Sequence, residues 1–264
     1  PERAAHDRRL LPRLGASVSF GPGRALHWAY QESLRAPGTH TLAPVATGAI
    51  AIDNQYLLAG SYARKHALQL DWELAPATFV GASLSTQHIY NLVAANGQLF
   101  ARKTGALFDN VNSIAPIVLN AQTTLNTYET TPIFGQGDLT QASVSVNHLL
   151  GPRWSVLGSY QYTESRNSGA GFSGNSLPGF APNTVLAQTT WRHAARSFSL
   201  LRATWRDRHY SDEANESEQA AGWSLALAHS WESADRRWSF TGTVQSDLRT
   251  NEQPTLWALV RYRD

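Results

Sequence analysis

The sequence predicts an all-β protein, an antiparallel transmembrane β-barrel with about 11 strands in this chain and at least 12 in the complete barrel. Three observations carry that prediction. Eleven segments alternate apolar and polar residues with period two, the mark of a strand whose faces meet different surroundings. The connections between them alternate short and long, as in barrels with turns on one side of a membrane and loops on the other. An aromatic-footed turn is also written three times: Trp72-ELAPAT-Phe79, Trp191-RHAARS-Phe198 and Trp231-ESADRR-Trp238. Half of that device recurs in GPGR after Phe20 and in GPR before Trp154.

Composition agrees. Charged residues make up 16% of the 264, below the ~25% of ordinary soluble proteins. There are nine tryptophans. Mean hydropathy is nevertheless -0.33, and no stretch approaches the ~20 apolar residues of a membrane helix. A barrel resolves the tension, because only every second residue faces lipid. The net charge of +2 comes from scattered basic residues and argues against a nucleic-acid partner. With no cysteine, disulfides, thiolate metal sites and cysteine nucleophiles are excluded. The chain also has no methionine, even at position 1, and no signal-peptide pattern at its start. The expectation is one barrel domain over residues 1–264, the C-terminal part of a larger protein.

The elements follow in order. Segments 11–20 and 25–35 flank the turn 21–24, and a long loop covers 36–63. In 66–74, Leu68, Leu70, Trp72 and Leu74 alternate with Gln69, Asp71 and Glu73. Segment 79–90 follows the turn 75–78 and leads to the longest loop, 91–136. Segment 142–150 sets Ala142, Val144, Val146 and Leu150 against Ser143, Ser145 and Asn147. After the turn 151–153, segment 154–162 sets Trp154, Val156, Gly158, Tyr160 and Tyr162 against Ser155, Leu157, Ser159 and Gln161. Loop 166–181, segment 184–192, turn 193–196, segment 197–209 and loop 210–221 come next. Segment 223–231 sets Trp223, Leu225, Leu227 and Trp231 against Ser224, Ala226, Ala228 and Ser230. Beyond the turn 233–236, segment 238–248 sets Trp238, Phe240, Val244 and Leu248 against Ser239, Thr241, Thr243, Gln245 and Asp247. The connection 251–254 leads to the final segment, 255–263. Alternation breaks in 79–90 and 197–209, where a bulge is expected.

This pattern assigns faces. The membrane girdle is expected at Trp72, Phe79, Trp154, Tyr162, Trp191, Phe198, Trp223, Trp231, Trp238 and Tyr262. Trp223 and Trp231, like Trp154 and Tyr162, lie eight residues apart on one face. At ~3.3 Å per residue and a ~40° tilt this separates two rings by about 20 Å, close to the ~25 Å apolar band of such barrels. The lumen is expected to receive Gln69, Asp71 and Glu73 from one strand and Ser143, Ser145 and Asn147 from another. Ser159, Gln161 and Ser224 join them, with Thr243, Gln245, Asp247 and Arg261 toward the end of the chain. Arg202, Arg206 and Arg263 add positive charge, and Trp257 with Leu259 makes one wall apolar enough for something to pack against it.

Parity has a consequence. Segments 11–20 and 255–263 run the same way, and single-chain bacterial barrels have an even strand number. Residues 1–10 are too polar to be a strand, so at least one strand is expected upstream. A hairpin within 111–131 would keep the count odd.

Two resemblances add to this reading. PRLGASVSFGPGRALHWAYQESLRAPGTHTL (12–42) resembles the region of TonB-dependent receptors where a PRLG-type strand and an aromatic strand lead to an RAP motif. TLAPV (41–45), QLDWELAPATF (69–79), TTPIFGQGDLTQASVSVNHLL (130–150) and the runs SDEAN and AGWSLALAHSWESADRRWS within 211–239 resemble the C-terminal barrels of outer-membrane proteins with periplasmic tetratricopeptide repeats. The second resemblance implies a barrel tethered to a periplasmic scaffold, in export of polymers or surface material.

Candidate chemistry is sparse. His148 lies near Ser145 and Asn147 but on the opposite phase, which argues against a hydrolase site. His209 with Asp207, Asp212 and Glu213 forms a group near the outer rim, read as a solvated loop rather than a metal site. GAGFSG (169–174) lacks the Lys and the following helix of a phosphate loop. No catalytic residue, metal ligand or cofactor is expected. The expected partners are outer-membrane lipid and a periplasmic repeat scaffold or other protein subunits. The expected setting is the bacterial outer membrane, with the long loops extracellular and the short turns periplasmic. The expected work is a pore or translocation channel for a solute or exported polymer. The alternatives are the barrel of a TonB-dependent receptor and a structural anchor of a surface assembly.

Overall fold

In the computed structural model, residues 10–34, 46–51, 61–91, 134–249 and 253–262 are described. Every regular element among them is a strand. β1 (Arg13–Gly21) and β2 (Arg24–Leu34) form the first hairpin, and β3 (Ala46–Thr47) and β4 (Ile50–Ala51) a miniature one. β5 (Tyr62–Ala75) turns into β6 (Thr78–Tyr90), and β7 (Gln136–Leu150) into β8 (Trp154–Asn167). β9 (Asn183–Ala194) and β10 (Ser197–Arg206) follow, then a second miniature hairpin of β11 (His209–Tyr210) and β12 (Glu218–Gln219). β13 (Gly222–Glu232), β14 (Trp238–Asp247) and β15 (Thr255–Tyr262) complete the chain. The eleven long strands form one antiparallel sheet in chain order, β1-β2-β5-β6-β7-β8-β9-β10-β13-β14-β15. Ten antiparallel steps leave β1 and β15 pointing the same way, and these two edges are not paired with each other.

Directly opposed residues of an antiparallel pair share a face, so the register sorts the whole sheet. One row reads Leu70, Ala82, Val144, Tyr160, Val185, Trp205, Trp223. The adjacent row reads Asp71, Gly81, Ser145, Ser159, Leu186, Thr204, Ser224, Asp247. The polar face is the inner one. Ala226 and Ala228 keep only 3% and 2% of their surface, while Leu227 between them keeps 51%. Small side chains buried beside a large exposed one mean that the sheet curls toward the polar face.

The eleven predicted segments all form strands. Two assignments need correction. Phe79 sits opposite Glu73 and Asn147, and Phe198 opposite Arg192 and Ser230, so both lie on the inner face and not in the girdle. The cause is turn geometry. The register slips between Glu73 and Ala75 and between Ser197 and Phe198, so the aromatic that reopens the chain falls one residue out of phase. These slips also replace the bulges expected inside 79–90 and 197–209: β6 pairs without interruption, and β10 ends at Arg206. His209 belongs instead to a separate hairpin with Gln219. The possible hairpin within 111–131, most of loops 36–63 and 91–136, Arg263 and the side chain of Trp257 lie outside the described residues.

Candidate functional site

All thirteen predicted lumen residues share the inner face. Glu73 and Asn147 flank Phe79; Gln69, Ser143 and Gln161 lie in the row of Ser83; Gln245 opposes Ala226, Thr243 opposes Ala228, and Arg261 opposes Ser239. The remaining four, Asp71, Ser145, Ser159 and Ser224, lie in the row that ends at the thirteenth, Asp247. Ser83 and Ser143 exchange a hydroxyl hydrogen bond of 2.8 Å across two strands. Arg202 Nε donates to Gln188 Oε1 at 2.9 Å. The surface this makes is hydroxyls, amides and a few charges on a stiff sheet. It can hydrate a passage or bind a polar solute.

The end of the sheet remote from the short turns is covered, and glycines make the cover possible. Gly15 of β1 faces inward, and a Cβ there would stand 2.5 Å from the backbone nitrogen of Gly48. The β3–β4 hairpin therefore lies directly on the wall, with Ile50 buried against Ala29 and Ala67. Gln31 Nε2 donates to the Ile50 carbonyl at 3.3 Å. Ser17 Oγ donates to the Gly48 carbonyl at 3.2 Å. Behind Ser17 stand His27, whose Nδ1 is 2.9 Å from Ser17 Oγ, and Asp71, whose carboxylate is 3.2 Å from His27 Nε2. Gln69 Nε2 donates to both Asp71 oxygens at 3.0 Å. A Ser-His-Asp string invites a hydrolase reading, yet Ser17 gives its proton to the hairpin and receives one from His27. It works as a latch.

Two further glycines repeat the device. A Cβ on Gly137 would meet Leu177 Cδ1 at 2.5 Å, and one on Gly222 would meet Arg249 Cγ at 2.6 Å. Leu177 belongs to a small core with Ala63, Ile89, Phe134, Leu139 and Phe180, in which inward strand residues are capped by loop residues. Arg249 lies along the wall and is ion-paired to Asp247.

The loops are tied to one another. Glu213 Oε1 accepts from the Gly135 amide at 3.0 Å and from Asn167 Nδ2 at 2.8 Å. Asn215 and Ser176 exchange two hydrogen bonds of 2.9 Å, and Arg206 donates to the Gly179 carbonyl. Asp212 receives the amides of Glu216 at 3.2 Å and Ser217 at 2.6 Å, which hold its carboxyl below the usual range. The His209 ring is buried with Nδ1 3.0 Å from the Asp207 carbonyl. Burial lowers its pKa, and the Arg206 and Arg249 cations lower it further against the raising effect of that carbonyl. Asp207, His209, Asp212 and Glu213, grouped in the sequence, thus separate into distinct structural tasks. His148 lies on the outer face, bonded to Thr78 Oγ1 at 2.8 Å.

The girdle residues other than Phe79 and Phe198 share the outer face. Trp154 and Trp191 stack at 5.2 Å, and Trp238 meets Tyr262 at 4.7 Å, at the foot of the sheet. Tyr160, Trp205 and Trp223 stand in one row near the other end. Sequence reasoning missed Ser17, His27 and Asn215, and it missed the seating of the loops. The inward glycines near strand ends were the available signal.

No family model matches the chain, and no curated protein matches it in sequence. Among solved structures it is similar to the ferric yersiniabactin uptake receptor FyuA from Yersinia pestis, with a TM-score of 0.54 at 13% identity over 89% of this chain and 31% of that one. It is similar to the ferric citrate transporter FecA, with a TM-score of 0.52 at 13% identity over 89% and 32%. The copper transporter OprC gives 0.51 at 10% identity over 93% and 38%. The chain therefore spans about a third of the length of each. At such identities the likeness is one of fold.

Proposed function

We propose that this chain is part of a transmembrane β-barrel of the bacterial outer membrane that passes a polar solute along its inner face, beneath loops that narrow the mouth. The observation that carries the reading is the seating of loop atoms on inward glycines at Gly15, Gly137 and Gly222. A barrel that served only as an anchor has no need of a mouth built inward from its own loops. The fold shared with an uptake receptor and two transporters supports solute passage over polymer export, and residues 12–42 favour the TonB-dependent receptor reading within it. Among the described residues no strand pairs with the outer edges of β1 and β15, and unpaired backbone groups cost several kcal/mol each in hydrocarbon, so further strands complete the wall, with a periplasmic scaffold as an additional partner.

The test uses the full protein in cells. An epitope at Gly171 should be reached by antibody from outside, and one at Ala234 should not. Ser145→Trp should reduce entry of a small hydrophilic solute, and Gly15→Ala should raise it by unseating the hairpin. Entry indifferent to both changes, with surface labelling intact, would leave the anchor reading in its place.

A further inference from the structure

The outer face carries a polar notch of three side chains beside its aromatic ring, apart from the His148–Thr78 pair. At the foot of β9 the register slips between Ser197 and Phe198, which leaves His193 without a partner opposite it. Its ring swings onto the outer face against Trp191, at 3.7 Å between centroids. His193 Nε2 lies 2.8 Å from Ser199 Oγ, and the same oxygen lies 2.9 Å from His229 Nδ1. Ser199 stands in the row Trp191, Ser199, His229, Gly242. Gly242, opposite His229, lies under the Phe240 ring, whose edge would stand 3.1 Å from a Cβ there. The row above it reads Val156, Thr189, Leu201, Leu227 and Val244, and the row below it Ser197, Trp231 and Phe240.

The proton count of this relay is fixed. Ser199 has one proton, so it donates to one imidazole and accepts from the other. The imidazole that accepts carries its own proton on the far nitrogen, and the one that donates has a bare far nitrogen. With both rings uncharged, the relay presents one N–H donor and one lone pair to the membrane, whichever way it runs. Among the described residues neither far nitrogen, His193 Nδ1 or His229 Nε2, has a protein partner.

We infer that the His193–Ser199–His229 notch binds the headgroup of a phospholipid that carries both a phosphodiester and a primary ammonium, in the leaflet at the short-turn end of the barrel. The N–H takes a phosphate oxygen, and the lone pair takes an ammonium proton. Depth agrees, because Trp154, Trp191 and Trp231 mark the level at which aromatic belts meet headgroups. The inference rests on the membrane reading above.

The full protein, purified in mild detergent and offered equal amounts of dioleoyl phosphatidylethanolamine, phosphatidylcholine and phosphatidylglycerol, would be weighed intact with its retained lipid. Retention should favour the ethanolamine lipid about tenfold, the worth of the one ammonium hydrogen bond that the other two lipids cannot make. Ser199→Ala should reduce that preference, and His193→Phe with His229→Phe should abolish it while heat-modifiability persists. Equal retention of ethanolamine and choline lipids, or a preference that survives both variants, would overturn the headgroup assignment alone. A protein that retains none of the three would overturn the membrane reading as well.

Discussion

The two faces of β13 and its neighbours reverse the habits of a soluble protein. On one face Leu225, Leu227, Val244 and Trp231 are exposed; on the other Ala226, Ala228, Thr241 and Thr243 are buried. Alternation alone is shared with any half-buried strand. What differs is which side is covered: here the large apolar side chains face outward, and the sheet closes over small and polar ones. Such an outer face is stable only in contact with hydrocarbon, whose loss would leave well over a few hundred Å² of contiguous apolar surface in water. The inner face has its own division. Near the short turns it is open polar wall, and at the far end loops are seated on it.

The largest effect should come from charge on the wrong face. Leu227→Arg places a guanidinium in the apolar band at a cost of ~2–4 kcal/mol, whereas Ser224→Arg places it on the polar face. Assembly of the full protein, followed by heat-modifiability on gels, should fail for the first and survive for the second. Equal behaviour would mean that the faces are exchanged.

A smaller difference should separate two glycines. Gly137→Ala forces a methyl group against Leu177, which is itself fully buried and has nowhere to move. Overpacking of this kind costs about 1–3 kcal/mol. Gly158 lies on the outer face, where a Cβ meets nothing within 4 Å, and Gly158→Ala should be neutral to within about 0.5 kcal/mol. Protease cleavage near Phe172 on intact cells should rise for Gly137→Ala and not for Gly158→Ala. Identical cleavage would show that Leu177 does not hold the loop down.

The smallest effect is a pH dependence confined to the loop cover. His209 has a lowered pKa when packed, so the opened loop binds the proton more tightly. The cover is then at full strength above the ordinary value of 6.5 and loses strength as pH falls below it. Protection of the 168–182 amides against hydrogen exchange, taken relative to their intrinsic rates at each pH, should fall across that range, and His209→Asn should flatten the trend. Strand amides on the outer face should not follow it, and a uniform acceleration would point to global loosening instead.

Most of the sheet was legible because its signal is local. Trp223, Leu225, Leu227 and Trp231 declare their face by spacing alone, and the thirteen residues expected to line a lumen share the opposite face of the sheet. Phe79 and Phe198 were misread for an equally local reason: a one-residue slip in a tight turn inverts the phase, and composition carries no record of it. The seating of the hairpin on Gly15, the Glu213 bridge and the Ser17–His27–Asp71 latch were not legible, since each joins residues far apart in sequence.

The sequence by itself determined the eleven long strands and how their residues divide between two faces away from the tight turns, because a period of two and an alternation of turn and loop lengths are one-dimensional facts. Tertiary structure decided which way the sheet curls, which loops fold inward, and that His193, Ser199 and His229 meet on the outer face. Those outcomes depend on register between strands and on space left by absent side chains. Both exist only once separate stretches of chain lie against one another.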